Sequence, residues 1–189
     1  MEDYNLPLNR GIEQKKEMRD MDLLAIRRYD PLYENVNALY ESSFPENERR
    51  PLNELTEGFR GEGELLAAIE EGTFVGMVSL LSFGDITHIL YFAVRDELRN
   101  HGYGSKILSL IRARCPGQRI IVDVERPEDG VPNKAQREER IAFYQRNGYE
   151  DTEVAYRWEN EDYRIMSNGG DVTKRDFWLF WDHFRPDRT

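Results

Sequence analysis

A glycine-rich turn is the segment of this sequence whose residue types are best suited to bind a charged ligand. It reads RNHGYG from Arg99 to Gly104, and its two glycines stand one residue apart at the start of a predicted helix. Such glycines let backbone N–H groups come close to a ligand, and the first turn of a helix presents unpaired donors at the positive end of the helix dipole. Arg99 adds a charged fork of donors. The turn therefore predicts a phosphate site, with a plain glycine turn before a core helix as the alternative.

The spacing excludes the two most familiar phosphate motifs. A dinucleotide-binding turn needs a third glycine where Ile107 stands, and Lys106 lacks the upstream glycine spacing of a P-loop. A phosphate site at this turn would therefore belong to another class of phosphate-binding motif.

A tyrosine near the end of another predicted helix could supply a proton. Tyr144 precedes Gly148 and a new strand, so its hydroxyl could point into a cleft. A phenol with an ordinary pKa of about 10 can protonate a departing thiolate, whose own pKa is about 8.5. Packing is the alternative role, because Ile141 and Tyr144 share one face of the helix.

Hydrophobic periodicity predicts one α+β domain with a mixed sheet over residues 21–189, preceded by a polar arm over residues 1–20. Glu71 and Gly72 suit a tight hairpin turn, and residues 87–94, apolar on both faces, suit a central strand. The last helix is rich in aromatic residues and covers either its own sheet or a second subunit. The predicted strands cover residues 23–26, 65–69, 73–81, 87–94, 120–124, 152–158 and 162–166, and the predicted helices cover residues 30–40, 51–59, the stretch from the glycine-rich turn to 115, 133–147 and 174–184.

Charge and composition narrow the classes of partner. The chain has 26 Lys and Arg residues against 36 Asp and Glu residues, a net charge of −10. This balance argues against nucleic acids and anionic membranes, because both need a positive face, although a small anionic cofactor needs only a local patch. Cys115 stands alone and no Cys/His cluster has zinc spacing, so we expect neither a disulfide nor a metal. With no apolar run of about 20 residues and no signal-peptide pattern, the expected location is cytoplasmic.

In this order, the segments resemble the GNAT superfamily of N-acetyltransferases, whose acyl-CoA signature is Arg/Gln-x-x-Gly-x-Gly/Ala. The signature stands here at residues 99–104 and follows a strand that ends in Ala-Val at residues 93–94. Phe143 and Tyr144 before Gly148 are similar to the family's junction between a helix and a strand.

The resemblance covers roughly residues 21–166, with its specific motifs between residues 91 and 149. It implies a GNAT-like fold, an α+β (mixed α/β) sandwich with helices flanking a central sheet. That sheet would be mixed, mostly antiparallel, and splayed between the strands at residues 87–94 and 120–124.

The resemblance also implies an acyl-CoA cofactor, either acetyl-CoA or another acyl-CoA. The pantetheine arm would lie in the splay and the pyrophosphate on the glycine-rich turn, while a backbone N–H near Phe92 would face the thioester oxygen. Many members carry an Asn seven residues before the Tyr, where this chain has Arg137. Asn133, one turn earlier, is either a cofactor ligand or the N-cap of its helix, with Gln136 completing a capping box. The implied cofactor-binding residues are Phe92, Ala93, Val94, Arg99, Asn100, His101, Gly102, Tyr103, Gly104, Ser105 and Asn133.

By the same resemblance, Tyr144 is the general acid for the sulfur in a direct acyl transfer to an amine within a ternary complex. The amine must attack unprotonated, which is about 4.6 kcal/mol uphill for a lysine at pH 7 and about 1.4 kcal/mol for an α-amine. A general base therefore matters more for a lysine. His88, where some members place a glutamate, and Glu125, on the neighbouring strand, are the rival bases. Each also has an alternative role outside catalysis: His88 as a strand-end histidine that pairs with a neighbour, and Glu125 as a solvated carboxylate.

Glu46 and Glu48 lie in the segment that covers the acceptor cleft in the family. They either attract a cationic amine or belong to a solvated loop. The expected partner is a small-molecule or peptide amine, and the chain is expected to act as a monomer or homodimer. A non-catalytic acyl-CoA sensor with the same fold is the alternative function. Tyr144 favours the enzyme, because a sensor needs no proton donor at the sulfur.

Overall fold

A computed structural model describes residues 21–57, 62–158 and 160–185 of the chain. Its strands are β1 (Met21–Ala25), β2 (Gly63–Glu70), β3 (Thr73–Phe83), β4 (Ile86–Val94), β5 (Arg119–Glu125), β6 (Glu150–Trp158) and β7 (Glu161–Asn168). They form one sheet in the order β1-β2-β3-β4-β5-β7-β6. Within the described ranges every neighbouring pair is antiparallel except β4 and β5, which run parallel. The predicted mixed, mostly antiparallel sheet is confirmed, and β4 lies at its centre.

Helices flank this sheet on both faces. Those in the described residues are α1 (Tyr33–Ser43), α2 (Leu52–Glu57), α3 (Tyr103–Arg114), α4 (Lys134–Arg146) and α5 (Lys174–Phe184). The predicted second helix is confirmed as far as Glu57, and its predicted end at Phe59 lies outside the described residues. The predicted polar arm over residues 1–20 also lies outside them. None of the helices in the described segments combines the length and apolar composition that a membrane crossing requires.

The β2–β3 hairpin turns at the predicted acidic-glycine pair. Glu71 and Gly72 both adopt positive φ, at 48° and 79°. Two successive positive φ angles are typical of a two-residue turn whose twist matches that of the flanking strands. The turn fixes the hairpin register, with Glu70 paired to Thr73.

Strand alternation divides the core between the two faces of the sheet. Leu66 and Ala68 of β2 belong to the cluster that contains the buried residues of α3 and α4. Leu65 and Ala67, which point the opposite way, pack with α1 and α2. The helix pair α3–α4 therefore covers one face, and α1, α2 and α5 cover the other.

Helix α5 covers its own sheet, one of the two roles open to it on sequence. Phe177 and Phe180 are buried in a cluster with Ile121 and Ile165. Thr173 caps the helix by accepting a hydrogen bond from the Asp176 N–H, at 3.2 Å, while the Asp176 carboxylate accepts one from the Thr173 N–H, at 3.1 Å.

Strands β4 and β5 separate along their length, as predicted. Their parallel pairing runs from Ile86↔Arg119 to Ile89↔Val122 and ends there. A bulge at this point places Leu90 between two β3-paired residues, because Leu80 pairs with Ile89 and Ser79 with Tyr91. The bulge bends β4 away from β5. The cleft opens at the end of this pairing.

The predicted capping box at Asn133 is absent, although Asn133 does occupy the N-cap position of α4. Asn133 precedes α4, but its side chain makes no capping hydrogen bond, so the expected box with Gln136 is absent. The Asn133 amide oxygen instead accepts a hydrogen bond from Arg137 Nε at 2.9 Å. A guanidinium one turn along the helix competes for the oxygen that a cap would have used.

Candidate active site

A cavity of about 1700 Å³ opens where β4 and β5 diverge. It extends from the first turn of α3 and the inner face of α4 to the α1–α2 connection and α5. The predicted site residues that line it are Phe92, Ala93, Val94, Arg99, Asn100, Gly102, Gly104, Ser105, Asn133, Tyr144, Glu125 and Glu48. Four other predicted residues, His101, Tyr103, His88 and Glu46, are not among the lining residues.

The glycine-rich turn exposes the donors of the α3 N-terminus. Asn100 and Gly102 adopt positive φ of 64° and 83°, and α3 begins at Tyr103. The Lys106 N–H donates to the Gly102 carbonyl at 3.1 Å. The N–H groups of residues 103–105 therefore precede the first intrahelical hydrogen bond and have no acceptor within α3. They form, with the helix dipole, a donor set that fits a diphosphate.

Arg99 stands at the rim of this turn with part of its charge compensated. Its guanidinium pairs with Asp96 at 2.6 Å, and its side chain is about half exposed. The His101 ring nitrogen Nδ1 lies 2.7 Å from the Arg99 carbonyl, so this histidine is engaged within the turn itself. Backbone amides, rather than the guanidinium, are therefore the main donors that the turn offers.

The second glycine of the signature is favoured by packing. A Cβ on Gly104 would lie 3.0 Å from the Phe143 ring, closer than ordinary contacts allow. Phe143, from α4, also packs against Phe92 of β4, with ring centroids 6.3 Å apart. Gly104 therefore lets α4 approach β4 and narrow the cavity between the turn and the splay.

Tyr144 lies at the inner end of α4, on the cavity wall. Its ring packs between Phe143 and Tyr149, at 5.3 Å from each. Burial raises the pKa of Tyr144 to about 12; the Asp123 carboxylate also raises it, while Arg140 acts in the opposite direction. The hydroxyl thus stays protonated at neutral pH and can donate.

The two predicted bases occupy different environments. His88 is fully buried, with its ring edge-on to Phe180 and Trp181, and its Nε2 lies 2.7 Å from Asp123 Oδ2. Glu125 lines the cavity and forms an ion pair with Arg140. Contact of His88 with a substrate therefore has to pass through Asp123, which does line the cavity.

Asp123 is a site residue that the sequence reasoning missed. It interrupts the apolar run of β5, which reads RIIVDVE over residues 119–125. The sequence did contain a signal, namely a carboxylate inside an otherwise apolar strand. A carboxylate in such a strand needs a hydrogen-bonding or charged partner, or serves a function. The sequence does not show that this partner is His88, because His88 precedes Asp123 by 35 positions.

The end of the cavity between the α1–α2 connection and α5 has aromatic walls and a rim of both polar and apolar residues. Glu48 lines it, and the backbone carbonyl of Glu48 accepts a hydrogen bond from the Tyr91 hydroxyl at 2.7 Å. Glu46, the other predicted contact, is exposed. The aromatic residues at this end are Phe44, Tyr91, Tyr156, Trp158, Tyr163, Phe177, Trp178, Trp181 and Phe184.

Residues 61–151 match the family model described as an acetyltransferase (GNAT) domain. A GNAT-family protein from Bacteroides thetaiotaomicron has a similar fold, with a TM-score of 0.73 and 24% identity over 85% of this chain and 94% of that one. An aminoglycoside 6'-N-acetyltransferase complexed with coenzyme A gives a TM-score of 0.61 at 15% identity, covering 78% of this chain and 96% of that one. An Arabidopsis thaliana protein in complex with the bisubstrate analogue CoA-Ac-MVNAL gives 0.58 at 20% identity, covering 79% and 98%. A comparison with curated proteins finds no match.

The matched family model spans β2 to the start of β6, and thus the splay, the glycine-rich turn and Tyr144. With this match and the shared fold, the resemblance to the GNAT acetyltransferases read from the sequence is confirmed.

Proposed function

We propose that this enzyme transfers an acetyl group from acetyl-CoA to an amine by direct attack within a ternary complex. The observation that carries the proposal is the meeting of three features in one cavity: the donor-rich turn of α3, the open edge of β4, and the buried hydroxyl of Tyr144. Solved neighbours described as complexed with coenzyme A or a CoA bisubstrate analogue support the choice of cofactor.

The residues of the turn would hold the cofactor. The N–H groups of residues 103–105 and the positive end of α3 bind the pyrophosphate, with Arg99 and Asn100 at the rim. Backbone groups of Phe92 to Val94, past the end of the β4–β5 pairing, face the pantetheine arm. When bound, acetyl-CoA supplies an acetyl group activated as a thioester.

The chain's own groups then stabilise charge and move protons. A backbone N–H at the bulge near Phe92 donates to the carbonyl oxygen as charge develops there, an interaction worth roughly 3–4 kcal/mol in acyl transfer. Tyr144 Oη gives its proton to the sulfur. The amine nitrogen loses one proton toward the carboxylate side of the cavity, where Glu125 and the Asp123–His88 pair lie. An acceptor that arrives as an ammonium loses one proton before attack and a second as the amide forms. Sulfur takes up one proton and the other passes to solvent, so the products are an amide, a free thiol and one released proton.

Calorimetric titration with acetyl-CoA, followed by a free-thiol assay over a panel of amines, tests the proposal. We expect saturable binding and thiol release that depends on the amine. Absence of acetyl-CoA binding would contradict the assignment of the turn. Tight binding without thiol release from any amine would instead support the alternative of an acyl-CoA sensor.

A further inference from the structure

We infer that the acceptor binds as a cation at Asp123, and that it is an amine carried on an apolar or aromatic body. The inference rests on the proposed function and adds the substrate class. The binding site is the part of the cavity between β5, β6, β7 and α5, hereafter the acceptor recess.

Asp123 lies where the reacting groups must meet. It is the first residue of β5 beyond the parallel pairing with β4, which ends at Ile89↔Val122. Because Ile121 packs under α5, strand alternation places Asp123 on the same face of the sheet. Asp123 and the proposed acid, Tyr144, both line the cavity.

Asp123 has no cationic side chain as partner within the described ranges. Glu125, two residues further along β5, is neutralised by Arg140. Asp123 pairs with His88 and interacts with the neutral Tyr156 hydroxyl, and its side chain is 21% exposed toward the cavity. A carboxylate at the cavity wall that is only partly solvated favours a cation from outside.

His88 acts as a positioning residue for this carboxylate. Its Nε2 lies 2.7 Å from Asp123 Oδ2, and its side chain is fully buried against Phe180 and Trp181. Its Nδ1 is buried without a hydrogen-bond partner in the described part of the chain. An unsatisfied buried nitrogen is unfavourable for folding, so packing under α5 does not by itself account for a histidine at this position.

The walls beside Asp123 are aromatic rings. Tyr156 stacks on Tyr163 and on Phe177, with centroids 5.4 Å and 5.5 Å apart. Burial raises the pKa of Tyr156, and the neighbouring Asp123 carboxylate raises it further, so the phenol stays neutral. Neutral ring faces attract ammonium groups and offer apolar contact to the carbon skeleton that carries them.

The first test compares two primary amines as acceptors, 2-phenylethylamine and taurine. The former joins an ammonium to an aromatic body, and the latter joins it to a sulfonate without an apolar body. With saturating acetyl-CoA we expect 2-phenylethylamine to have the higher kcat/KM, by about tenfold or more. Equal efficiency for the two amines, or a preference for taurine, would overturn the inference.

The second test removes the charge of Asp123 while keeping its shape. In Asp123→Asn we expect kcat/KM for 2-phenylethylamine to fall about 10- to 100-fold, the range for loss of a charged hydrogen bond. Affinity for acetyl-CoA should stay within about twofold. The matched control is Asp151→Asn, which removes an exposed carboxylate of β6 that pairs with Arg164 outside the cavity lining. Equal effects of the two substitutions would contradict a role for Asp123.

A third comparison separates positioning from packing at His88. His88→Leu should raise KM for 2-phenylethylamine about tenfold, whereas His88→Gln, which can still donate to Asp123, should restore most of the lost affinity. An unchanged KM in His88→Leu would refute the positioning role.

Calorimetry with 2-phenylethylamine and the CoA-saturated protein distinguishes failure of the inference from failure of the proposed function. Thiol release from other amines, without binding or turnover of 2-phenylethylamine, would refute the acceptor recess and leave the proposed function standing. Binding that requires Asp123, without turnover of any amine, would support the recess and contradict the transferase proposal.

Discussion

At the scale of single residues, burial sets the chemistry available to Tyr144. A pKa of about 12 keeps the hydroxyl neutral, so it is a donor throughout the neutral range. The same raised pKa makes it a weaker acid than a free phenol. A thiolate released beside Tyr144 is desolvated in a similar way, which raises the pKa of the thiol as well. The difference between the pKa of Tyr144 and the pKa of the thiol is therefore reduced.

Substitution of Tyr144 by Phe should therefore affect catalysis and not the fold. We expect kcat to fall about 100-fold or more, the usual contribution of a general acid, while calorimetric affinity for acetyl-CoA is unchanged. The readout is free-thiol release at saturating acetyl-CoA. Tyr149→Phe is the matched control, because Tyr149 is also buried, next to Tyr144, but does not line the cavity. Full turnover by the Tyr144→Phe variant would contradict its role as the acid.

At the scale of elements, the start of α3 and the end of the β4–β5 pairing together form the cofactor side of the cleft. The turn presents donors because positive φ at Asn100 and Gly102 directs the chain into α3. The bulge at Leu90 frees the edge of β4. Both are backbone features, so cofactor binding should depend more on chain conformation than on particular side chains.

A pair of glycine substitutions tests this view of the turn. Gly102 and Gly117 flank α3 with nearly equal φ of 83° and 77°, and neither has a neighbour within 4 Å of an added Cβ. Alanine at either position should lower the free energy of unfolding by a similar amount, about 1–2 kcal/mol. Only Gly102→Ala should also weaken acetyl-CoA binding, by about tenfold, because only Gly102 lines the cavity. Equal affinity in both variants would show that the turn does not hold the cofactor.

At the scale of the whole molecule, buried tyrosines link stability to pH. Burial raises the pKa of Tyr40, Tyr144 and Tyr149 above the ordinary value of 10.0. Below that pH the tyrosines are neutral in both folded and unfolded chains. Above it they ionise first in the unfolded chain, so stability is lost as the pH rises from 10 toward the folded-state values.

Denaturant unfolding at about pH 8 and about pH 11 checks this linkage. We expect a lower free energy of unfolding at the higher pH, and a smaller decrease in Tyr149→Phe, which lacks one of the buried phenols. Tyr29→Phe is the control, since Tyr29 is 86% exposed and should leave the decrease unchanged. A decrease of the same size in both variants would show that burial of Tyr149 does not contribute.

The sequence alone determined the features that short-range geometry governs. The hairpin at Glu71 and Gly72, the donor-rich turn before α3 and the position of Tyr144 before Gly148 each depend on residues a few positions apart. Local backbone preferences therefore suffice to predict them. The resemblance to the GNAT family followed from the order of these segments, and this resemblance in turn predicted the splayed sheet.

Only the tertiary structure decided which side chains meet in the cleft. The parallel register that pairs His88 with Ile121 brings the imidazole within hydrogen-bond distance of Asp123, and α5, more than 50 residues further along the chain, buries it. The hydrogen bond from Arg137 to the Asn133 side chain was equally unpredictable from the sequence, because two geometrically possible donors compete for one oxygen. Register between distant strands depends on packing of the whole sheet, and a single sequence does not specify it by any local signal.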